Sequence, residues 1–215
     1  MKKMICTVLG VMLFAMTATP LKAQDLSASL HEAYTALQSA KDLTAMMGAN
    51  SKFNLIAAKW NNAWSANYYA AYSLICISLK EPAAKRKDLL LDQADKYVDK
   101  VNSMQPSNDE SMVLTAYAAF ARFLVDPPNR WRKYLDLMST NLENAKKANP
   151  DNPRIYYLKG IPVFNKPVLY GGGKNKAKPY FEKAKALFAK QSTASIEKPY
   201  WGEQDNAAYL LKCDE

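Results

Sequence analysis

The chain has 215 residues, 49% hydrophobic and 23% charged, with 29 Lys and Arg against 20 Asp and Glu and a formal net charge of +9. These globular proportions exclude long disorder and collagen-like structure, and the length suits one domain or one short repeat array. A single His and three Cys exclude metal sites built on several imidazoles.

Lys2 and Lys3, the apolar run Met4 to Met16 and the small or polar exit Thr17 to Ala23 have the layout of a secretory signal peptide cut near Ala23. The apolar run is shorter than the roughly 20 residues that a spanning helix needs, and no later segment reaches that length. Cys6 lies inside the run, where it is not placed for lipid attachment. The expected location is therefore periplasmic or secreted. Without the leader, 26 basic residues face 20 acidic ones, spread along the chain rather than gathered in one arm. That pattern reads as a solvated basic surface and not as a nucleic-acid-binding one.

From residue 24 onward the chain reads as helix, with no sustained apolar/polar alternation that would mark a strand. Residues 24–58 are expected to form N-terminal helices. Leu30, Ala33, Tyr34, Leu37 and Leu43 space one helix over Leu26 to Met47, and Phe53, Ile56 and Ala57 mark a second. Over residues 59–215 the spacing predicts helices at Trp64 to Leu79, Lys87 to Met104, Asp109 to Val125 and Trp131 to Ala148. Three more follow at Asn152 to Val163, Lys176 to Ala189 and Glu203 to Cys213. Pro82, Pro106, Pro127, Pro128, Pro150, Pro153 and Pro199 supply the breaks, each removing a backbone donor.

A repeat runs through this pattern. Ser103-Met104-Gln105-Pro106-Ser107-Asn108 matches Lys147-Ala148-Asn149-Pro150-Asp151-Asn152, with the prolines 44 residues apart. A small residue recurs in mid-helix at Ala71, Ala116 and Gly160, where two helices can cross closely. A second signature recurs as Ala94, Val98 and Val101 before Pro106, as Met138, Leu142 and Ala145 before Pro150, and as Ala177, Phe181 and Ala184. Recurring helix pairs of this kind mark a stacked helical array.

On these residues the chain resembles the tetratricopeptide repeat (TPR) family, with Ala177-Phe181-Ala184 the best match to its second-helix motif. It departs in having a unit of 44 to 45 residues where the family has about 34, and Ala189 where a third proline is expected. The run Asn152-Pro153-Arg154 to Gly160, followed by Tyr170-Gly171-Gly172-Gly173-Lys174, is similar to exported bacterial TPR proteins of unassigned function. The resemblance implies an all-α, TPR-like helical-hairpin solenoid of about three enlarged repeats, with N-terminal helices and a C-terminal capping helix. It also implies that the first helix of each pair lines a concave face.

No catalytic constellation emerges. The Gly171–Lys174 loop lacks the preceding strand, the glycine spacing and the Ser or Thr of a phosphate loop. Its glycines are expected to make a tight return, with Asn175 capping the next helix and Pro179 in its first turn. His31 has no partner at ligand spacing, Cys76 sits in the apolar stretch Leu74 to Ile77, and Glu110, Glu143, Glu182, Glu203 and Asp205 read as helix-terminal or solvated charges. Cys76 and Cys213 are expected to be free thiols, because an extended array keeps them two repeats apart. The notable cluster is aromatic. Tyr68, Tyr72, Tyr117, Phe120 and Tyr157 occupy matching positions on first helices, with Arg154 and Asn165 at the end of the stripe. Such a stripe either packs the array or lines a groove that is both apolar and hydrogen-bonding. As a groove it implies an exported non-catalytic scaffold binding a protein or peptide partner. The alternative is a small-molecule-binding accessory protein of an envelope uptake system. Neither reading requires a metal or cofactor.

Overall fold

The computed structural model describes residues 20–191, 195–199 and 201–215. The leader read in residues 1–19 lies outside the described residues, and the expected cut near Ala23 falls at the start of the first helix. Among the described residues there are nine α-helices and no strand. They are α1 (Pro20–Gln38), α2 (Leu43–Lys59), α3 (Trp64–Lys80), α4 (Ala84–Met104), α5 (Asp109–Phe123), α6 (Pro127–Ala148), α7 (Pro153–Asn165), α8 (Lys174–Phe188) and α9 (Glu203–Asp214). A single 3-10 turn, Val168–Tyr170, interrupts the α7–α8 connection.

The elements begin where the sequence chemistry allows. Asp42, Asn108 and Asn152 each accept a hydrogen bond from a first-turn backbone N–H, of Ala45, Ser111 and Arg154 respectively. Pro127 and Pro128 open α6 and Pro153 opens α7, at positions where a missing N–H costs nothing. The Asn that follows each repeat proline is thus the start signal for the next first helix. One boundary differs from the sequence reading. The N-terminal region breaks at residues 39–42 rather than after Met47, because the Asp42 cap starts a new helix without a Pro or Gly to announce it.

The helices pack as antiparallel hairpins, α1 on α2, α3 on α4, α5 on α6 and α7 on α8, with α9 closing on α8. The first helices α1, α3, α5 and α7 also touch one another in succession and form the inner layer. Ala71, Ala116 and Gly160 are buried on that layer, and the second-helix signatures of α4, α6 and α8 are buried beneath it. At Gly160 the approach is so close that an added Cβ would stand 2.5 Å from the Phe181 ring. α3 is buried from Ser65 through Ile75, which is why its sequence shows no clean amphipathic period. α4 and α6 bury one stripe each and carry charge on the other face.

Candidate functional site

The concave face carries the aromatic residues picked out in the sequence, but a tryptophan of the same chain lies against four of the five. Trp201, from the segment between α8 and α9, inserts among Tyr72, Tyr117 and Tyr157. Its ring stacks on Tyr72 at 5.0 Å and Tyr117 at 5.1 Å, and meets Tyr157 edge-on at 6.4 Å. Its indole N–H donates to the Tyr68 hydroxyl at 2.8 Å. Tyr68, Tyr72, Tyr117 and Tyr157 are consequently all buried, not exposed as an open peptide groove requires. Burial pushes the phenol of each well above its usual range, so all four are neutral.

The sequence position of Arg154 puts it at the end of a groove; in the structure it is instead the anchor of the crossing segment. Its fully buried guanidinium donates to Glu110 Oε1 at 2.9 Å, to Gln191 Oε1 at 3.2 Å and to the Pro199 carbonyl. It also lies over the Trp201 ring at 5.3 Å. Glu110 lies in the first turn of α5, as its helix-terminal reading has it, but it is buried and not solvated. It accepts from Asn152 at 2.8 Å and from the Tyr68 hydroxyl at 3.3 Å. Burial holds the Glu110 carboxyl above its ordinary range, a rise that the Arg154 charge opposes without cancelling. This network ties α3, α5 and α7 to the segment that carries Trp201.

Beyond Trp201 the inner face opens into a cleft of about 920 Å3 between α5, α6, α7 and α9. Tyr117, Phe120 and Tyr157 form part of its wall, joined by Phe123, Leu124, Trp131, Pro162 and Tyr209, with Asn165, Lys166 and Asp136 as polar groups. The sequence stripe is therefore split: Tyr68, Tyr72 and Arg154 hold the Trp201 plug, while Tyr117, Phe120, Tyr157 and Asn165 face the cleft. Asn165 is exposed and its amide donates to the Ile161 carbonyl at 2.8 Å. That carbonyl lies in the last turn of α7, just before Pro162 in the helix interior. Sequence reasoning missed Trp131, Tyr209 and Trp201, which lie outside the repeat register. The one available signal was Pro199-Tyr200-Trp201-Gly202, a large aromatic residue between two helix breakers.

The other candidates do not line this cleft. His31 is exposed on α1 with Thr35 Oγ1 3.4 Å from its ring. Cys76 and Cys213 form no disulfide, and the Cys76 thiol is hydrogen-bonded to Tyr72 and Tyr117. The Gly171–Lys174 loop makes the expected tight return, with Gly171 at φ 82° and Gly173 at φ 98°. Its helix-start details differ, however: Gly173 rather than Asn175 occupies the cap position of α8, and Pro179 lies in the helix interior.

A stack of helical hairpins with an aromatic cleft on its inner layer is the build of a TPR-like binding protein. The structure is similar to that of the HusA haemophore from Porphyromonas gingivalis, with a TM-score of 0.75 and 32% sequence identity over 92% of this chain and 95% of that one. The chain belongs to the family of that haemophore. It also shares its fold with a thermophilic TPR protein of Thermus thermophilus, at a TM-score of 0.55 and 18% identity over 89% of each chain. No protein-family model and no curated protein matches the chain.

Proposed function

We propose that this chain is an exported, non-catalytic carrier that binds a flat, apolar ligand of the porphyrin class in the cleft between α5, α6, α7 and α9. The observation that carries the reading is the aromatic cleft, of a volume suited to one small ligand, in a relative of a protein described as a haemophore. Phe120, Phe123, Trp131 and Tyr209 offer apolar faces for a conjugated ring, and Lys166 with Asn165 offers a rim that can meet its carboxylates. The peptide reading needs an open trough over Tyr68 and Tyr72, and Trp201 fills that space.

Among the described residues, no His, Met or Cys lines the cleft. Its phenols at Tyr117, Tyr157 and Tyr209 are held in the neutral form by burial. Recognition therefore rests on the ring and its carboxylates, with little required of a central metal. Titration of tryptophan fluorescence with haemin and with iron-free protoporphyrin IX tests this. Both are expected to quench saturably with similar affinity. Trp131→Ala and Phe120→Asp should each weaken binding by about 2 kcal/mol, as loss of a hot-spot contact does. Absence of saturable binding, or binding indifferent to both substitutions, defeats the proposal.

A further inference from the structure

At the mouth of the cleft the α7–α8 connection raises three consecutive large apolar side chains into solvent. Val168 is 79% exposed, Leu169 87% and Tyr170 67%. Leu169 at that exposure is surrounded by nothing of its own chain, so the tip projects. Soluble proteins rarely leave such a cluster uncovered without a use for it. The projection is also built rather than slack. Tyr170 N–H donates to the Pro167 carbonyl, Gly171 N–H to Val168, Gly172 N–H to Pro167 and Gly173 N–H to Val163. Gly172 packs so tightly that a Cβ there would lie 2.2 Å from the Lys166 carbonyl oxygen. The glycines that fail as a phosphate loop thus serve to hold an apolar tip outward.

Charge singles out the same place. Residues 152–181 contain six basic side chains and no Asp or Glu. Arg154 is buried against Glu110, Lys159 pairs with Glu143 and Lys178 with Asp214. Lys166, Lys174 and Lys176 are exposed beside the tip, and none of them forms an ion pair among the described residues. A tyrosine at the edge of an apolar projection with unpaired lysines around it is the composition of a lipid interface. The apolar residues enter the acyl boundary, the phenol sits at headgroup depth and the lysines meet phosphates. A protein partner would call for a broad complementary patch, whereas this is a narrow, convex tip.

We propose that the Val168–Tyr170 tip with Lys166, Lys174 and Lys176 is a docking site for an anionic lipid surface. Lys166 and Pro167 belong both to the base of the tip and to the rim of the cleft. Docking would therefore seat the cleft mouth on the membrane, where an apolar ligand partitions. The link to ligand transfer rests on the carrier reading above; the docking itself does not.

The test is co-sedimentation of the purified protein with vesicles of phosphatidylcholine alone and of phosphatidylcholine with phosphatidylglycerol. All variants share one N-terminus, so any contribution of residues 4–16 is common to them. Binding to the anionic vesicles is expected, weakening with salt. Leu169→Asp should lower partitioning at least about tenfold. Lys174→Gln with Lys176→Gln should lower it about 25-fold, at about fivefold per lysine, while Lys85→Gln with Lys147→Gln should change it much less. Equal losses in the two lysine pairs, or a wild type that sediments no better than Leu169→Asp, would overturn the proposal. So would a tip-dependent complex with a membrane-free protein in place of vesicle binding. Protoporphyrin titration without vesicles separates the two readings: Leu169→Asp should bind it as the wild type does, and a chain that docks without binding porphyrin refutes the cleft ligand alone.

Discussion

The contact between Gly160 and Phe181 offers a quantitative check on how the repeats pack. A Cβ on residue 160 would sit 2.5, 2.8 and 2.9 Å from three carbons of the Phe181 ring, whereas carbon atoms settle about 3.5–4.0 Å apart. The ring would have to retreat by about 1 Å. It has little freedom to do so, being fully buried, stacked on Tyr209 at 5.0 Å and set edge-on to Phe164 at 6.3 Å. Overpacking of this kind costs about 1–3 kcal/mol, while Ala in place of Gly gains up to about 1 kcal/mol of helix propensity. The single variant Gly160→Ala therefore mixes two opposed effects, and a double-mutant cycle separates them. Phe181→Leu opens the space and should by itself cost about 2 kcal/mol, less than the 3–5 of truncation to Ala. In that background the added methyl meets no ring, so only the helix gain remains. Urea unfolding of the four proteins should give a coupling energy of about 1–3 kcal/mol favouring the double variant. Additivity within about 0.5 kcal/mol would show that the helix crossing is not set by this glycine.

Three further outcomes follow from the buried network and the surface charges. Trp201→Ala should destabilise by about 3–5 kcal/mol, lowering the melting temperature by about 6–20 °C for a chain of this size; a parental melt would mean that Trp201 does not fill the concave face. Asp88 is gripped by Arg130 at 2.7 and 2.8 Å and by Arg122 at 3.0 Å, which holds its carboxyl below the ordinary 3.8. A depressed carboxyl stabilises the fold above its unfolded value and loses that contribution as pH falls through the folded one. The stability gap between wild type and Asp88→Asn, measured by urea melts, should thus be constant above about pH 5 and shrink below about pH 4. Burial pushes the Cys76 thiol up to about 12, so an aromatic disulfide reagent at pH 8 should label Cys76 only slowly in the native protein and promptly in urea.

The sequence carries the array but not its closure. Proline spacing, the small residues at 71, 116 and 160 and the three second-helix signatures are local periodic features, and each lies where the repeat predicts. The break before Asp42 escaped because a capping Asp alone leaves a weaker mark than Pro or Gly. The aromatic stripe was legible as a set of positions, since residues at equal repeat offsets fall on one face. Which of them meet solvent was not, because Trp201 lies outside the period and both it and Arg154 act across long sequence separations. Glu110 looked like an ordinary first-turn carboxylate, and only the fold brings a buried guanidinium to it.

The hydrogen bond from Trp201 to Tyr68 spans 133 residues, and it changes what kind of polymer this array is. Helical repeats ordinarily contact only their neighbours, so they can fray from an end and fold from any point. Here the last connection reaches back over α7 and α5 to α3, which couples the first full repeat to the last. Fraying from the C-terminus must break the centre as well, and folding acquires a long loop to close before its reward is collected, which slows it. During synthesis, Tyr68 and Glu110 emerge long before Arg154 and Trp201 exist to meet them. A chain that stopped at residue 198 would therefore be no shorter solenoid. It would be an array with an open aromatic face, a tyrosine without its indole donor and a guanidinium without its carbonyl.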